Sequence, residues 1–176
     1  MEFMNEPVSI DNIPRVEDVS LKPIEKKYLS VLRLEWLTVT IICFAGATGL
    51  IWSIRKLQQP LIIEITAAVL VLFSALYFII QERSFQFKAY AIRERDIVYR
   101  KGWIIRSVSV CPFNRVQHSA VTAGPYERKY GLATIVLYTA GTSDADLRVR
   151  GLREEEAHSL KEWITKKISN EEQPGV

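Results

Sequence analysis

The sequence predicts an α+β membrane protein: a two-helix transmembrane hairpin followed by an antiparallel β-barrel or sandwich capped by a C-terminal α-helix. Three observations carry this. Two long runs, 36–54 and 61–80, hold a single charged residue between them. Residues 84–150 break into short segments with strand-like alternation. An amphipathic stripe at helical spacing closes the chain. At 176 residues there is room for one modest domain and an appendage.

The chain opens with a polar leader, residues 1–33, with three prolines and no clear period, expected to be mostly extended or disordered. Its end, "PIEKKYLSVLRLEW", is expected to turn helical before the membrane. The first span, "WLTVTIICFAGATGLIWSI", has no charge in 19 positions and would rise about 28 Å as a helix, close to a bilayer's hydrocarbon thickness. Trp36 and Trp52 lie near its ends, where amphipathic rings favour the interface. The second span, 61–80, carries only Glu64, placed to snorkel outward within a turn of its start. "RKLQQP" between the spans is too short for anything but a hairpin turn. A buried core helix would show a polar stripe, and neither run does. Ala45 and Gly49, with Ala67, Ala68, Ser74 and Ala75 opposite, would let helices approach closely. Ten Lys and Arg flank the outer ends of the spans against two, Arg55 and Lys56, in the connection, which places both termini in the cytoplasm.

The domain is expected over 83–170, with 34–82 as the hairpin and 171–176 as a disordered tail. "SFQFKAYA" (84–91) alternates as a strand. "DIVYRK" (96–101) and "WIIRSVSVC" (103–111) flank Gly102 as a tight hairpin. Pro112 breaks or restarts a strand. Strands then follow at 115–122, at 132–139 beyond a basic turn, and at 145–150, where Leu147 and Val149 point in and Asp146, Arg148 and Arg150 point out. The closing helix, roughly 153–169, aligns Ala157, Leu160, Trp163, Ile164 and Ile168 on one face. Its first turn is acidic and its last basic, as the helix dipole favours.

Residues 82–151 hold twelve Lys and Arg against six Asp and Glu, a basic middle that suits anionic partners. Cys43 and Cys111 are unclustered, which excludes a disulfide framework and a metal site. His118, Ser119 and Cys111 are the one grouping that suggests a nucleophile and base. Neighbours in a strand point to opposite faces, so His118 and Ser119 cannot meet. No cofactor, catalytic or metal-ligating set follows from the spacing.

"PFNRVQHSAV" (112–121), "GPYERKYGLATIVLYTAG" (124–141) and "VRGLREEEAHSLKEWI" (149–164) together resemble the bacterial pleckstrin-homology-like (bPH2) membrane proteins. The likeness is to the YdbS-like members, with two transmembrane helices before one PH-like domain. It covers about 34–168 and rests on Arg115, Val116, Arg128, Gly131, Leu132, Thr139 to Gly141, Ala157 and Leu160. It departs at Cys111, where the family usually has isoleucine. The resemblance implies two roughly orthogonal sheets capped by the C-terminal helix, and no enzymatic role. It also implies a hetero-complex with a larger membrane protein bearing several such domains, or a homo-oligomer.

Gly131 is expected to turn with positive φ before the strand that Leu132, Ile135 and Leu137 anchor. That holds Arg128, Lys129 and Tyr130 on the surface, which with Arg115 form the candidate docking surface for anionic headgroups or an acidic partner. Against this, Arg128 has the favoured role of tying the loop down through backbone carbonyls or Glu127, and Lys129 reads first as a solvated charge. The expected function is a membrane-anchored interaction or scaffold module whose partners are membrane lipids and another membrane protein. An anionic-lipid-sensing domain is the alternative. A nucleic-acid binder lacks the aromatic stacking pattern, and a small enzyme lacks its motif.

Overall fold

A computed structural model of the chain describes residues 20–139 and 147–172, excepting the side chains of Lys56 and of residues 169–172. After a two-residue strand β1 (Lys22–Pro23) come two long helices, α1 (Tyr28–Ser53) and α2 (Pro60–Gln86). A single 3-10 turn, Arg55–Leu57, joins them, and Pro60 starts α2 at the position where a missing N–H costs nothing. At 26 and 27 residues the helices run about 40 Å each, longer than a bilayer core needs. Their apolar windows are not covered by the rest of the protein, unlike core helices. The expected α+β architecture with a transmembrane hairpin is what the structure has.

The helices are pinned together along their domain-side half. The Trp36 indole donates to the Ser74 carbonyl at 2.9 Å, and the Thr40 and Ser74 hydroxyls meet at 3.0 Å. Trp36 also packs on Phe78, with ring centroids 5.0 Å apart. Polar groups at this depth have no water, so internal partners replace it. Arg33 and Glu82 pair at 2.6 Å where charge first appears. The small residues Ala45 and Gly49 do not mediate this contact. Both are exposed, and a side chain at Gly49 would meet open space.

The domain consists of β2 (Ala89–Ile92), β3 (Asp96–Lys101), β4 (Ser107–Pro112), β5 (Val116–Thr122), β6 (Leu132–Thr139), β7 (Leu147–Arg153) and two helices, α3 (Pro125–Lys129) and α4 (Glu154–Glu172). The strands form two antiparallel ladders, β1-β2-β3-β4 and β5-β6-β7, which the 3-10 turn Phe113–Arg115 connects. Ala157, Leu160 and Ile164 of α4 close over a core that includes Ile97, Phe113, Leu132, Ile135, Leu137 and Val149. Trp163 stays 40% exposed with its ring edge-on to Phe113.

The helical hairpin is an insertion within one sheet. β1 lies before it and β2 after it, yet Lys22 faces Tyr90 and Pro23 faces Ala89 in adjacent strands. The chain then stays on the domain: the Glu25 amide donates to the Gly151 carbonyl at 3.0 Å. Ile24, Tyr28, Val31 and Leu32 are buried in the same core as the β-strands. Packing thus crosses the boundary that the sequence suggests at residue 33, since the leader's last dozen residues are part of the folded domain.

Three local expectations need correction. The strand at 84–91 is instead the last turn of α2 up to Gln86, followed by the shorter β2. Gln81, Glu82 and Arg83 are good helix formers without a breaker, and they outweigh four residues of alternation. The tight hairpin at Gly102 is a five-residue loop, 102–106, and β4 starts at Ser107 rather than at 103. The basic turn before Gly131 winds into α3. Gly131 has φ +64°, as expected. The expectations for residues 1–19, 140–146 and 173–176 lie outside the described residues.

Candidate functional site

α3 packs against α1, on the side of the domain that meets the hairpin. α3 is built by its own cap: the Glu127 carboxylate accepts the Gly124 amide at 2.9 Å and the Thr134 hydroxyl at 2.8 Å. Glu127 is therefore committed to Gly124 and Thr134. The Tyr126 hydroxyl reaches Thr38 of α1 at 2.5 Å. Thr38 is the third residue of the first apolar run, so this bond brings α3 down to the level where the span begins.

Arg128 and Lys129 follow on α3 with exposed side chains, and Tyr130 is half-buried. Ion pairs among the described residues are Lys22–Glu156, Arg33–Glu82, Arg93–Asp96 and Arg153–Glu25, none of which uses them. Tyr130 and Gly131 instead line an open hollow of about 420 Å³ with Lys27, Arg153 and Glu154. Arg115 does not join this group. It precedes β5, whereas α3 follows that strand, and the seven residues of β5 put about 20 Å between them.

A smaller polar cleft of about 200 Å³ lies between α1 and the outer side of the β5-β6-β7 sheet. Glu35 lines it from the helix, Arg148 and Arg150 from β7, and Tyr126 from α3. Sequence reasoning missed it. The available signal was Arg148 and Arg150 at alternate outward positions, with a lone carboxylate, Glu35, directly before the span. Burial disfavours the Arg150 charge, but Tyr28 and Glu35 outweigh it and hold the guanidinium charged above its ordinary range. Nearby, the Lys88 ammonium lies 5.2 Å from the Tyr28 ring centroid. Burial, helped by Arg150, lowers the Lys88 pKa to about 8. On α4, burial pushes the Glu156 carboxyl up, while hydrogen bonds from Lys22 and Tyr90 pull it further down, leaving it below the usual range.

His118 stacks on Tyr138 with centroids 4.2 Å apart on the exposed side of β5. The Ser119 hydroxyl oxygen is buried. The pair faces opposite ways. Among the described residues, no three His, Cys, Asp or Glu side chains gather closely enough to hold a metal ion.

The order of elements can be compared with known proteins. Residues 31–168 match the family described as "Bacterial PH domain", from the buried first turns of α1 to the end of the α4 stripe. The chain belongs to the bacterial PH domain family. A YdbS-like relative is the UPF0699 transmembrane protein YdbS of Bacillus subtilis (strain 168), 28% identical over 140 residues, covering 78% of this chain and 86% of the relative. No solved structure matches. The relative's name and the two apolar helices together make this bacterial PH domain protein a membrane protein of the YdbS-like group. The family match begins inside α1, so it treats the hairpin and the β domain as one unit.

Proposed function

We propose that the protein is a membrane-anchored interaction module that docks a second membrane protein and carries no reaction of its own. Its domain faces the cytoplasm, with both chain termini inside. The joint between anchor and domain carries this reading. Tyr28, Val31 and Leu32 are core residues of the domain and the first turns of a membrane helix at once. A flexible tether raises the local concentration of a weak contact and nothing more. A joint without slack also fixes which face of the domain meets the bilayer and which meets a neighbour. The ten-to-two cation bias around the spans supports the cytoplasmic placement. The reading without catalysis draws on β5, where the His118 ring is exposed and the Ser119 hydroxyl is buried, so base and nucleophile do not meet.

The partner that fits is a larger membrane protein with several such domains, or a second copy of this chain. Arg128 and Lys129, rigidly displayed beside the span, supply its cationic contact, with Tyr130 at the edge; Arg115 belongs to a separate face. The test is cross-linking of the tagged full-length protein in its native membrane, followed by purification. One defined membrane protein is expected at a constant ratio, and the yield should fall in the Arg128→Glu, Lys129→Glu double variant. Recovery of an uncross-linked monomer from a membrane that contains all its natural neighbours contradicts the reading.

A further inference from the structure

The β3–β4 loop presents its largest apolar side chains to the outside. Ile104 is 68% and Ile105 82% exposed, and Trp103 beside them is 38% exposed. Among the large hydrophobics of the described residues, only Trp52 at the end of the first span, at 84%, exceeds Ile105. The loop is also tightly made. Gly102 has φ +91°, and a Cβ there would fall 1.9 Å from the Ile105 carbonyl oxygen. Its shape is thus specified, and that shape displays Trp103, Ile104 and Ile105 together.

Its position says what covers it. β3 runs antiparallel to β2 and returns to the end of α2: Arg100 faces Ala89, and the Arg106 guanidinium lies 5.4 Å from the Phe87 ring centroid. Gln86 and Phe87 line one hollow with Gly102 and Arg106. Gln86 is six residues beyond Ile80, so about 9 Å along the helix, at the outer edge of a headgroup layer about 5–8 Å deep. The Tyr126–Thr38 bond independently holds the domain down at the level of the span. Arg100, Lys101 and Arg106 are exposed around the loop, and no acidic residue occurs between Asp96 and Glu127.

We infer that this loop is a second membrane contact. Trp103, Ile104 and Ile105 enter the boundary between headgroups and acyl chains beside α2, while Arg100, Lys101 and Arg106 meet anionic headgroup phosphates. Tryptophan and aliphatic side chains flanked by cations suit that boundary. The inference rests on the hairpin's spanning a bilayer and is independent of the docking partner.

The test uses the full chain with Cys43→Ser in nanodiscs of phosphatidylcholine and phosphatidylglycerol. An environment-sensitive thiol probe is placed in turn at Ile105→Cys, at Leu72→Cys in α2 and at Glu162→Cys on the exposed side of α4. The Ile105 probe should emit to the blue of the Glu162 probe, be quenched by lipids brominated near the headgroup and resist iodide. Its blue shift should shrink when phosphatidylglycerol is omitted. A probe at Ile105 that behaves as at Glu162 overturns the inference, and so does shielding from both quenchers, which indicates a protein cover. Leu72 separates the causes: its quenching by lipid verifies the anchor, and its failure removes the hairpin reading along with this one.

Discussion

Two glycines with left-handed backbone separate conformational strain from packing. Gly131, at φ +64°, has open space where a Cβ would stand, whereas at Gly151, φ +76°, a Cβ would fall 2.7 Å from Tyr28 Cγ. Gly131→Ala should therefore cost only the strain of the left-handed region, about 1–2 kcal/mol. Gly151→Ala adds an overlap with a buried ring, worth a further 1–3 kcal/mol or so. Thermal unfolding in detergent should rank them in that order, and equal losses would contradict the Tyr28 packing. Lys88 offers a pH test. Its pKa is about 8 in the fold against about 10.4 in an unfolded chain, so between those values the unfolded state binds more protons. Stability contributed by this group should rise with pH across that window, and below it the buried charge is a constant penalty. Lys88→Met should stabilise most near neutrality, with an advantage that fades towards pH 10.5, as unfolding of both proteins across that range will measure. Gly131 was legible in the sequence because a basic turn ran straight into an apolar strand. Gly151 was not, because its need comes from a ring more than a hundred positions away.

Elements whose signal is local were readable in advance. The stripe Ala157, Leu160, Ile164 and the alternation Leu147, Val149 end up buried as their spacing implies. The two long apolar runs become the expected helices. Elements that depend on distant partners were not. β1 is two residues long, and nothing in "LKPIEKK" marks it as the neighbour of a strand beyond both membrane helices. Trp103, Ile104 and Ile105 favour strands by residue type, yet the turn at Gly102 takes them out of the ladder. The docked leader makes a testable element. Ile24, 4% exposed, precedes the first span in a segment that looks like a tail. Ile24→Ala should cost about 2–5 kcal/mol if the segment is core and almost nothing if it is a tail, as denaturant unfolding will distinguish. Of the candidate docking residues, sequence order kept Arg128, Lys129 and Tyr130 together. The strand expected at 115–122 already set Arg115 apart from them, and β5 keeps it at the other end.

At the scale of the molecule, the membrane hairpin lies between two adjacent strands of one sheet, which makes anchor and domain a single body. Two chain crossings, the hydrogen bonds of Glu25 to Gly151 and Ile24 to Lys88, and the shared core at Tyr28 all oppose bending at the junction. Interaction faces then keep a constant height and tilt, which is what the proposed docking role needs. Spin labels at Gln59→Cys, in the loop between the helices, and Glu162→Cys, on α4, measure this directly when Cys43 is replaced by serine. In nanodiscs, the interlabel distances should form one narrow peak. A broad or multiple distribution, with the domain swinging on its anchor, would contradict the account.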